Sequence, residues 1–153
     1  MRRSSIVAVL AALMLVVTIV PAAATPPSGV LIESLVSFDS GGGRFTATGP
    51  AVDSGLICAS GVTTQPYWKQ TGFHAPTGVN FQVVKEFACD DGSGSFFVKL
   101  QVRSDRKGVN FSWTILGGTD TYANLHGSGK GTGEGIDGFD GILDLYSGAV
   151  HSN

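Results

Sequence analysis

Charge is scarce in this chain, and no long segment of it is basic. Lysine and arginine together number 10 and aspartate and glutamate number 12, so charged residues make up only 14% of the sequence. Apart from Arg2 and Arg3 at the start, basic residues cluster only at Arg103, Arg106 and Lys107, in a predicted turn. Proteins that bind nucleic acid carry a basic patch or stripe. The composition therefore argues against nucleic acid as a partner.

The sequence also lacks the short motifs that mark common catalytic and cofactor sites. Lys130 lies in a glycine-rich segment, but it precedes Gly131 instead of a serine or threonine that opens a helix, so no phosphate loop is predicted. A Gly-x-Ser-x-Gly elbow is absent, and the three histidines, His74, His126 and His151, form no ligand pattern. We therefore assign no cofactor, no metal site and no catalytic residue from motifs.

One acidic stretch near the C-terminus has two interpretations. Glu134, Asp137, Asp140 and Asp144 are interspersed with glycines. Clustered carboxylates suit calcium, but the twelve-residue spacing of an EF-hand loop is absent. Solvated turns are the simpler interpretation, and calcium is the alternative.

The first 24 residues have the three parts of a secretory signal peptide. Arg2 and Arg3 give a positive start, residues 6–20 are apolar apart from one threonine, and Ala22 and Ala24 fit a small-residue cleavage rule. We expect cleavage after Ala24 and a secreted or extracytoplasmic protein with no stable membrane insertion. An uncleaved anchor is the alternative, because the apolar run is almost long enough to span a bilayer.

The chain has two cysteines, Cys58 and Cys89. An even number in an exported protein favours a disulfide, because an oxidising compartment consumes free thiols. Closing a loop of about 32 residues stabilises a fold by about 3 to 4 kcal/mol in the chain-entropy model. We predict a bond between these two residues, and the absence of CxxC spacing leaves a metal pair without support.

Alternation of apolar and polar residues is the main secondary-structure signal after residue 25. Phe96, Val98 and Leu100 fall on one face of a predicted strand, with polar residues between the later ones. The segments 79–87 and 111–116 alternate in the same way. Weaker alternation predicts five more strands, at 30–38, 44–48, 56–62, 126–132 and 138–146.

About eight strands joined by hairpin turns predict an all-β fold. A single open sheet of this size would leave long unpaired edges, so closure into one antiparallel β-barrel of about eight strands is favoured. A β-sandwich is the alternative, and at most one short helical turn is expected. The predicted plan is a signal peptide at 1–24, a flexible leader at 25–30, the barrel at 31–148 and a disordered tail at 149–153.

Glycine occupies every second position of one predicted strand, at Gly127, Gly129, Gly131 and Gly133. One face of that strand therefore has no side chains. Such a face is typical of a strand that bends sharply or lies against a bulky neighbour in a small barrel.

The segment 63–77 has two prolines and no alternation, and we predict a long loop over one mouth of the barrel. Tyr67, Trp68 and Phe73 lie in this segment. Aromatic side chains on a loop expose apolar surface unless they close a pocket or meet a partner. The three residues are therefore candidates for a ligand mouth, and we expect the segment to gate a cavity. A solid core is the alternative, because inward aromatic side chains also fill small barrels.

Two segments resemble a known family. One is Trp113-Thr-Ile-Leu-Gly117-Gly118-Thr119-x-x-Tyr122-Ala-x-Leu125-x-Gly127-x-Gly129, and the other is Phe87-x-Cys89-x-Asp91-Gly92-Ser93-Gly94. Both are similar to segments of the allene oxide cyclase barrel-like proteins, a group that includes plant dirigent proteins and small exported bacterial members. The likeness covers residues 81 to 133 and departs at Asp120, where the family usually has glycine. It implies an eight-stranded, calycin-type barrel.

The resemblance also bears on function. Family members bind an apolar or phenolic substrate inside the barrel and direct its cyclisation or coupling, which implies an internal apolar cavity. The predicted inward faces are nearly all apolar, with Lys85 the main exception. This favours binding of a small apolar or aromatic molecule over catalysis, which needs positioned acid or base groups. A dirigent- or cyclase-like enzyme using the same cavity is one alternative. An envelope-associated interaction protein with a solid core and no ligand is the other.

Overall fold

The structure is a computed structural model that describes residues 26–74 and 78–153. Eight antiparallel strands form a closed barrel, in which each strand pairs with its neighbours in the chain and the last returns to the first. The strands are β1 Ser28–Ser37, β2 Gly42–Thr48, β3 Ser60–His74, β4 Gly78–Cys89, β5 Ser95–Asp105, β6 Gly108–Gly118, β7 Leu125–Ile136 and β8 Phe139–Ser152. The predicted eight-stranded barrel is confirmed, and the sandwich alternative is wrong.

Two short helical turns interrupt the strands, where the sequence led us to expect at most one. The helix α1, Pro50–Asp53, lies between β2 and β3, and a single 3-10 turn, Asp120–Tyr122, lies between β6 and β7. Asp120 has a φ of +49°. This is the left-handed region that glycine adopts without strain. No helix in the described ranges has the length and hydropathy to cross a membrane.

The predicted inward faces of β5 and β6 are confirmed. Phe96, Val98 and Leu100 of β5 are buried, and so are Trp113 and Ile115 of β6. Successive side chains of a strand point to opposite faces, so apolar residues at every second position reach the interior together. The barrel core is built from these alternating faces.

Aromatic rings fill the half of the barrel where α1 and the 3-10 turn lie, which we call the closed end. Phe45 and Phe87 meet edge to face with ring centroids 5.0 Å apart, and Phe87 stacks on Phe96 at 5.1 Å. Tyr122, in the 3-10 turn, packs edge-on against Phe96. The opposite end, which we call the mouth, carries the connections β1–β2, β3–β4, β5–β6 and β7–β8.

The glycine-rich strand lies against bulky rings, as predicted. A Cβ atom on Gly129 of β7 would lie 2.7 Å from the Trp113 ring, and one on Gly131 would lie 2.3 Å from the Phe111 ring. Contacts this short do not occur between real atoms. Glycine therefore lets the large side chains of β6 lie flat against β7 inside a narrow barrel.

The disulfide between Cys58 and Cys89 is confirmed, with Cα atoms 6.0 Å apart. It joins the segment before β3 to the last residue of β4. Close by, the Tyr122 hydroxyl lies 2.7 Å from Ser93 Oγ, and Ser93 donates to Asp91. The hydrogen bonds from the Ser93 hydroxyl and backbone N–H hold the pKa of Asp91 below its ordinary value. The two segments that resemble the known family thus meet at the closed end.

Several predicted boundaries are wrong. Residues 63–74 belong to the long strand β3, which pairs with β4, so they do not form a loop. Strand β3 begins at Ser60, later than the predicted start at 56. Residues 149–152 lie within β8 and 28–30 within β1, where a disordered tail and a flexible leader were expected. The predicted signal peptide at 1–24 and its cleavage residues Ala22 and Ala24 lie outside the described residues.

Candidate functional site

The mouth half of the barrel interior is hollow. It encloses a cavity of about 340 Å³. Aliphatic and aromatic side chains from the barrel strands form most of the wall, with a few polar groups. The lining residues are Val36, Ser37, Phe38, Gly41, Gln65, Trp68, Phe81, Val83, Lys85, Leu100, Val102, Ser104, Val109, Phe111, Ile142 and Asp144.

An aromatic pair forms one side of the cavity. The rings of Trp68 on β3 and Phe81 on β4 lie 5.2 Å apart at a tilt of 35°. Trp68 remains 54% exposed and lines the cavity at its rim. Val83 and Leu100, further inside, are buried. The wall thus becomes more enclosed from the rim inward.

The inner end of the cavity, which we call the floor, holds an ion pair. Lys85 projects from β4 and Asp144 from β8, and Lys85 Nζ donates a hydrogen bond to Asp144 Oδ2. The two residues are only 2% and 4% exposed. Strands β4 and β8 are four strands apart in either direction around the barrel. The pair therefore links opposite walls beneath the cavity.

Burial dominates the electrostatics of the floor. Desolvation raises the pKa of Asp144, and the neighbouring Lys85 ammonium offsets part of that effect. Burial, together with the negative charge of Asp144, raises the pKa of Tyr146 well above its ordinary value. Tyr146 therefore stays a neutral phenol at physiological pH. Lys85 and Asp144 are the charged side chains among the described residues that line the cavity.

Three hydroxyl groups near the floor are buried and have no hydrogen-bond partner within the described part of the chain: Ser34 Oγ, Thr63 Oγ1 and Tyr146 OH. Ser34 lies directly across from Asp144 in the β1–β8 register, and Tyr146 follows Asp144 on the same face of β8. Most buried polar atoms in proteins are hydrogen-bonded. The region of the floor is therefore more polar than the walls, which are mostly apolar.

The structure separates the three residues predicted for the ligand mouth. Trp68 lines the cavity, whereas Tyr67 and Phe73, both within the described residues, are not among its lining residues. Tyr67 is 42% exposed and pairs with Val84, and Phe73 is 80% exposed near the end of β3. All three lie on a strand that carries two register shifts, between Thr64 and Tyr67 and between Gln70 and Gly72.

Asp144 is the site residue that the sequence interpretation missed. It was placed with Glu134, Asp137 and Asp140 in solvated turns or a calcium site, but it is buried inside the barrel. In the described ranges, no group of three or more histidine, cysteine or acidic residues is arranged to hold a metal ion. The sequence did contain a signal. An inward Lys85 needs a buried anion, because charged side chains are rarely buried without a partner.

Two of the histidines are neighbours, although the sequence showed no pattern among them. His126 of β7 pairs in register with His151 of β8, and their rings lie 5.5 Å apart. His151 was expected in a disordered tail, but β8 continues through it. Both alternate with the inward residues Leu125 and Val150, so they lie on the outer wall, away from the cavity.

Comparison with protein families finds no family model that matches this chain, and comparison with curated proteins finds no match either.

Proposed function

We propose that the barrel binds a small, largely apolar or aromatic molecule in the cavity at its mouth. The single observation that supports this most is the hollow mouth half, with about 340 Å³ of space. Pockets for small molecules have volumes of about 300 to 1,000 Å³ and combine apolar walls with a few placed polar groups. The partly exposed Trp68 ring, packed against Phe81, offers an aromatic surface on which a ligand ring can stack.

The resemblance to the allene oxide cyclase barrel-like and dirigent proteins supports the same proposal. Members of that group hold apolar or phenolic substrates inside the barrel. A protein with a solid core is a weaker alternative, because the mouth half of the barrel contains a cavity of about 340 Å³. An extracytoplasmic location is part of the proposal, and it is supported by the disulfide, which persists in oxidising compartments.

A cyclase- or dirigent-like enzyme in the same cavity is the second candidate. The observation that favours it is the group of ionisable side chains at the floor, Lys85, Asp144 and Tyr146, two of which have raised pKa values. Groups with perturbed pKa values in a cleft are candidates for acid or base chemistry. Structural ion pairs perturb pKa values as well, so binding remains the leading proposal.

A blocked cavity tests the proposal. Val102 lines the cavity, and Val102→Phe places extra ring atoms in that space. Leu116→Phe is the matched control, because Leu116 is 55% exposed on the outer wall of β6. N-phenyl-1-naphthylamine, which brightens in apolar surroundings, serves as the ligand. We expect it to bind the wild type and Leu116→Phe alike and Val102→Phe at least about tenfold more weakly. Equal binding to all three folded proteins would contradict the proposal.

A further inference from the structure

We propose that the Lys85–Asp144 floor recognises the head group of the ligand and admits it only without net charge. The complementary head group donates one hydrogen bond and accepts another on neighbouring atoms: a primary carboxamide, or a carboxyl group that carries its proton. This inference rests on the proposed function and adds the chemical class of the ligand.

The charge balance of the cavity is the first argument. The floor contains one cation and one anion, both almost completely buried, and the neutral phenol of Tyr146 lies beneath them. The remaining lining residues among those described are apolar, amide or hydroxyl side chains and glycine. A charged head group would therefore bring an uncompensated charge into an apolar cavity, which is strongly unfavourable. An uncharged polar group meets no such penalty.

The hydrogen-bonding capacity of the ion pair is the second argument. An ammonium has three N–H donors, and Lys85 uses one of them on Asp144. A carboxylate can accept several hydrogen bonds, and among the described residues Asp144 accepts one, from Lys85. A donor and an acceptor thus lie side by side at the inner end of the cavity. A carboxamide or protonated carboxyl group presents the opposite pair, an acceptor and a donor on neighbouring atoms.

The depth profile of the cavity gives the orientation. The apolar and aromatic lining residues Trp68, Phe81 and Val102 lie between the mouth and the floor, and the charged residues lie innermost. A molecule with one polar end can satisfy both regions only if the polar end enters first. The apolar body then contacts the walls, and its far end lies at the rim beside Trp68.

For a carboxylic acid, binding at this floor is coupled to the uptake of one proton. A carboxylic acid is ionised in solution near neutral pH, so it must take up one proton when it enters a neutral floor. That proton is shared between the ligand carboxyl group and Asp144, whose pKa is already raised by burial. Binding that takes up one proton weakens about tenfold for each unit of pH increase. An amide of the same shape takes up no proton, and its affinity should not follow this slope.

Three probes with the same ring system test the inference by displacement of N-phenyl-1-naphthylamine: 2-naphthamide, 2-naphthoic acid and 2-ethylnaphthalene. We expect the amide to bind the wild type at least about tenfold more tightly than the ethyl compound, a margin equivalent to roughly one hydrogen bond. In Lys85→Met/Asp144→Leu, the amide should lose this advantage while the ethyl compound still binds. Between pH 6.5 and pH 8.5, the acid's Kd should rise about tenfold per unit relative to that of the amide.

The outcomes separate the two proposals. If the ethyl compound binds as tightly as the amide, or if the acid binds with the same pH dependence as the amide, the floor does not select the head group. This result would contradict the inference about the head group, but it would leave the proposal of an apolar binding cavity intact. If no compound binds, including N-phenyl-1-naphthylamine, the result would contradict both the proposed function and the inference about the head group. The pH comparison uses the wild type alone, so it holds even if the double variant does not fold.

Discussion

Lys85 and Asp144 come from strands on opposite sides of the barrel, and their side chains meet in a buried ion pair. The pair separates the aromatic filling of the closed end from the cavity at the mouth. It is therefore both a structural link across the barrel and the polar floor of the candidate site. These two roles respond differently to substitution, which makes the pair the best place to begin testing.

Removing one partner of the pair should destabilise the fold more than removing both. Lys85→Met and Asp144→Leu each leave an uncompensated buried charge, and each should lower the free energy of unfolding by about 3 to 5 kcal/mol. The double variant replaces the pair with apolar side chains. Its free energy of unfolding should be within about 1 kcal/mol of the wild-type value, or higher than it. Guanidinium unfolding of the four proteins measures this. A double variant that loses as much as the sum of the single variants would contradict the expectation.

The stability contributed by Asp144 should depend on pH in a defined direction. Burial raises the pKa of Asp144 in the folded protein, so the folded state holds this proton more tightly than the unfolded chain does. Its contribution is therefore greatest below the unfolded pKa of about 3.9 and is lost as the pH rises through the folded pKa. The wild type should thus lose stability relative to Lys85→Met/Asp144→Leu as the pH rises above about 4. Urea unfolding at a series of pH values above about 4 measures the free energy of unfolding of both proteins. A wild type that gains stability relative to the double variant as the pH rises would show that folding lowers the pKa of Asp144.

Trp68 should contribute to ligand binding more than Tyr67 does. Trp68 lines the cavity, whereas its neighbour Tyr67 is not among the lining residues. Loss of an aromatic contact at a partly exposed rim is worth about 1 kcal/mol, or about fivefold in Kd. Trp68→Ala should weaken N-phenyl-1-naphthylamine binding by about this factor, and Tyr67→Ala should leave it unchanged. If the two variants bind alike, the role given to Trp68 at the rim is wrong.

Two glycines of the same strand should differ sharply in their tolerance of a methyl group. A Cβ atom on Gly131 would lie 2.3 Å from the Phe111 ring and 2.4 Å from the carbonyl oxygen of Leu145, whereas one on Gly135 meets nothing within 4 Å. Gly131→Ala should therefore cost about 1 to 3 kcal/mol of stability, the range for overpacked interiors. Gly135→Ala should be close to neutral. Thermal unfolding of both variants measures this, and equal midpoints would contradict the packing described for β7.

The disulfide should be a major source of stability. Cys58 and Cys89 are 31 residues apart in the sequence, and opening a loop of this size costs about 3 to 4 kcal/mol in the chain-entropy model. Cys58→Ser/Cys89→Ser should show this loss in guanidinium unfolding. A reduced wild-type protein should lose a similar amount. A loss below about 1 kcal/mol would mean that the unfolded chain is not appreciably restrained by the bond.

Local alternation predicted the barrel strands well where the strands are regular. Strands β5 and β6 keep a period of two through their inward residues, so the sequence identified Leu100 and Trp113 as core. Residues 63–74 of β3 were predicted as a loop because register shifts on both sides of Tyr67 break the alternation, and Pro66 adds a signal for irregular structure. Bulges of this kind depend on the partner strand, which a local pattern does not contain.

The floor of the site was harder to predict than the walls. Lys85 could be placed inside from its own strand, but its partner comes from β8, 59 residues later. Asp144 lies two residues before the buried Tyr146 and two after the half-buried Ile142, so it shares their inward face. The neighbouring acidic residues instead favoured an interpretation of the whole stretch as solvated turns. Which carboxylate meets Lys85 depends on barrel closure and register, and both are set by long-range pairing.

The central claim is that the mouth half of the barrel is a binding cavity, and methyl NMR tests it most directly. Val83, Leu100, Val102 and Ile142 carry methyl groups that line the cavity, whereas Leu31 and Leu116 are each 55% exposed on the outer wall. Ring currents from bound N-phenyl-1-naphthylamine should shift the methyl signals of the first four residues. The signals of Leu31 and Leu116 should stay in place. Shifts confined to the outer wall, or no shifts at saturating ligand, would contradict the account.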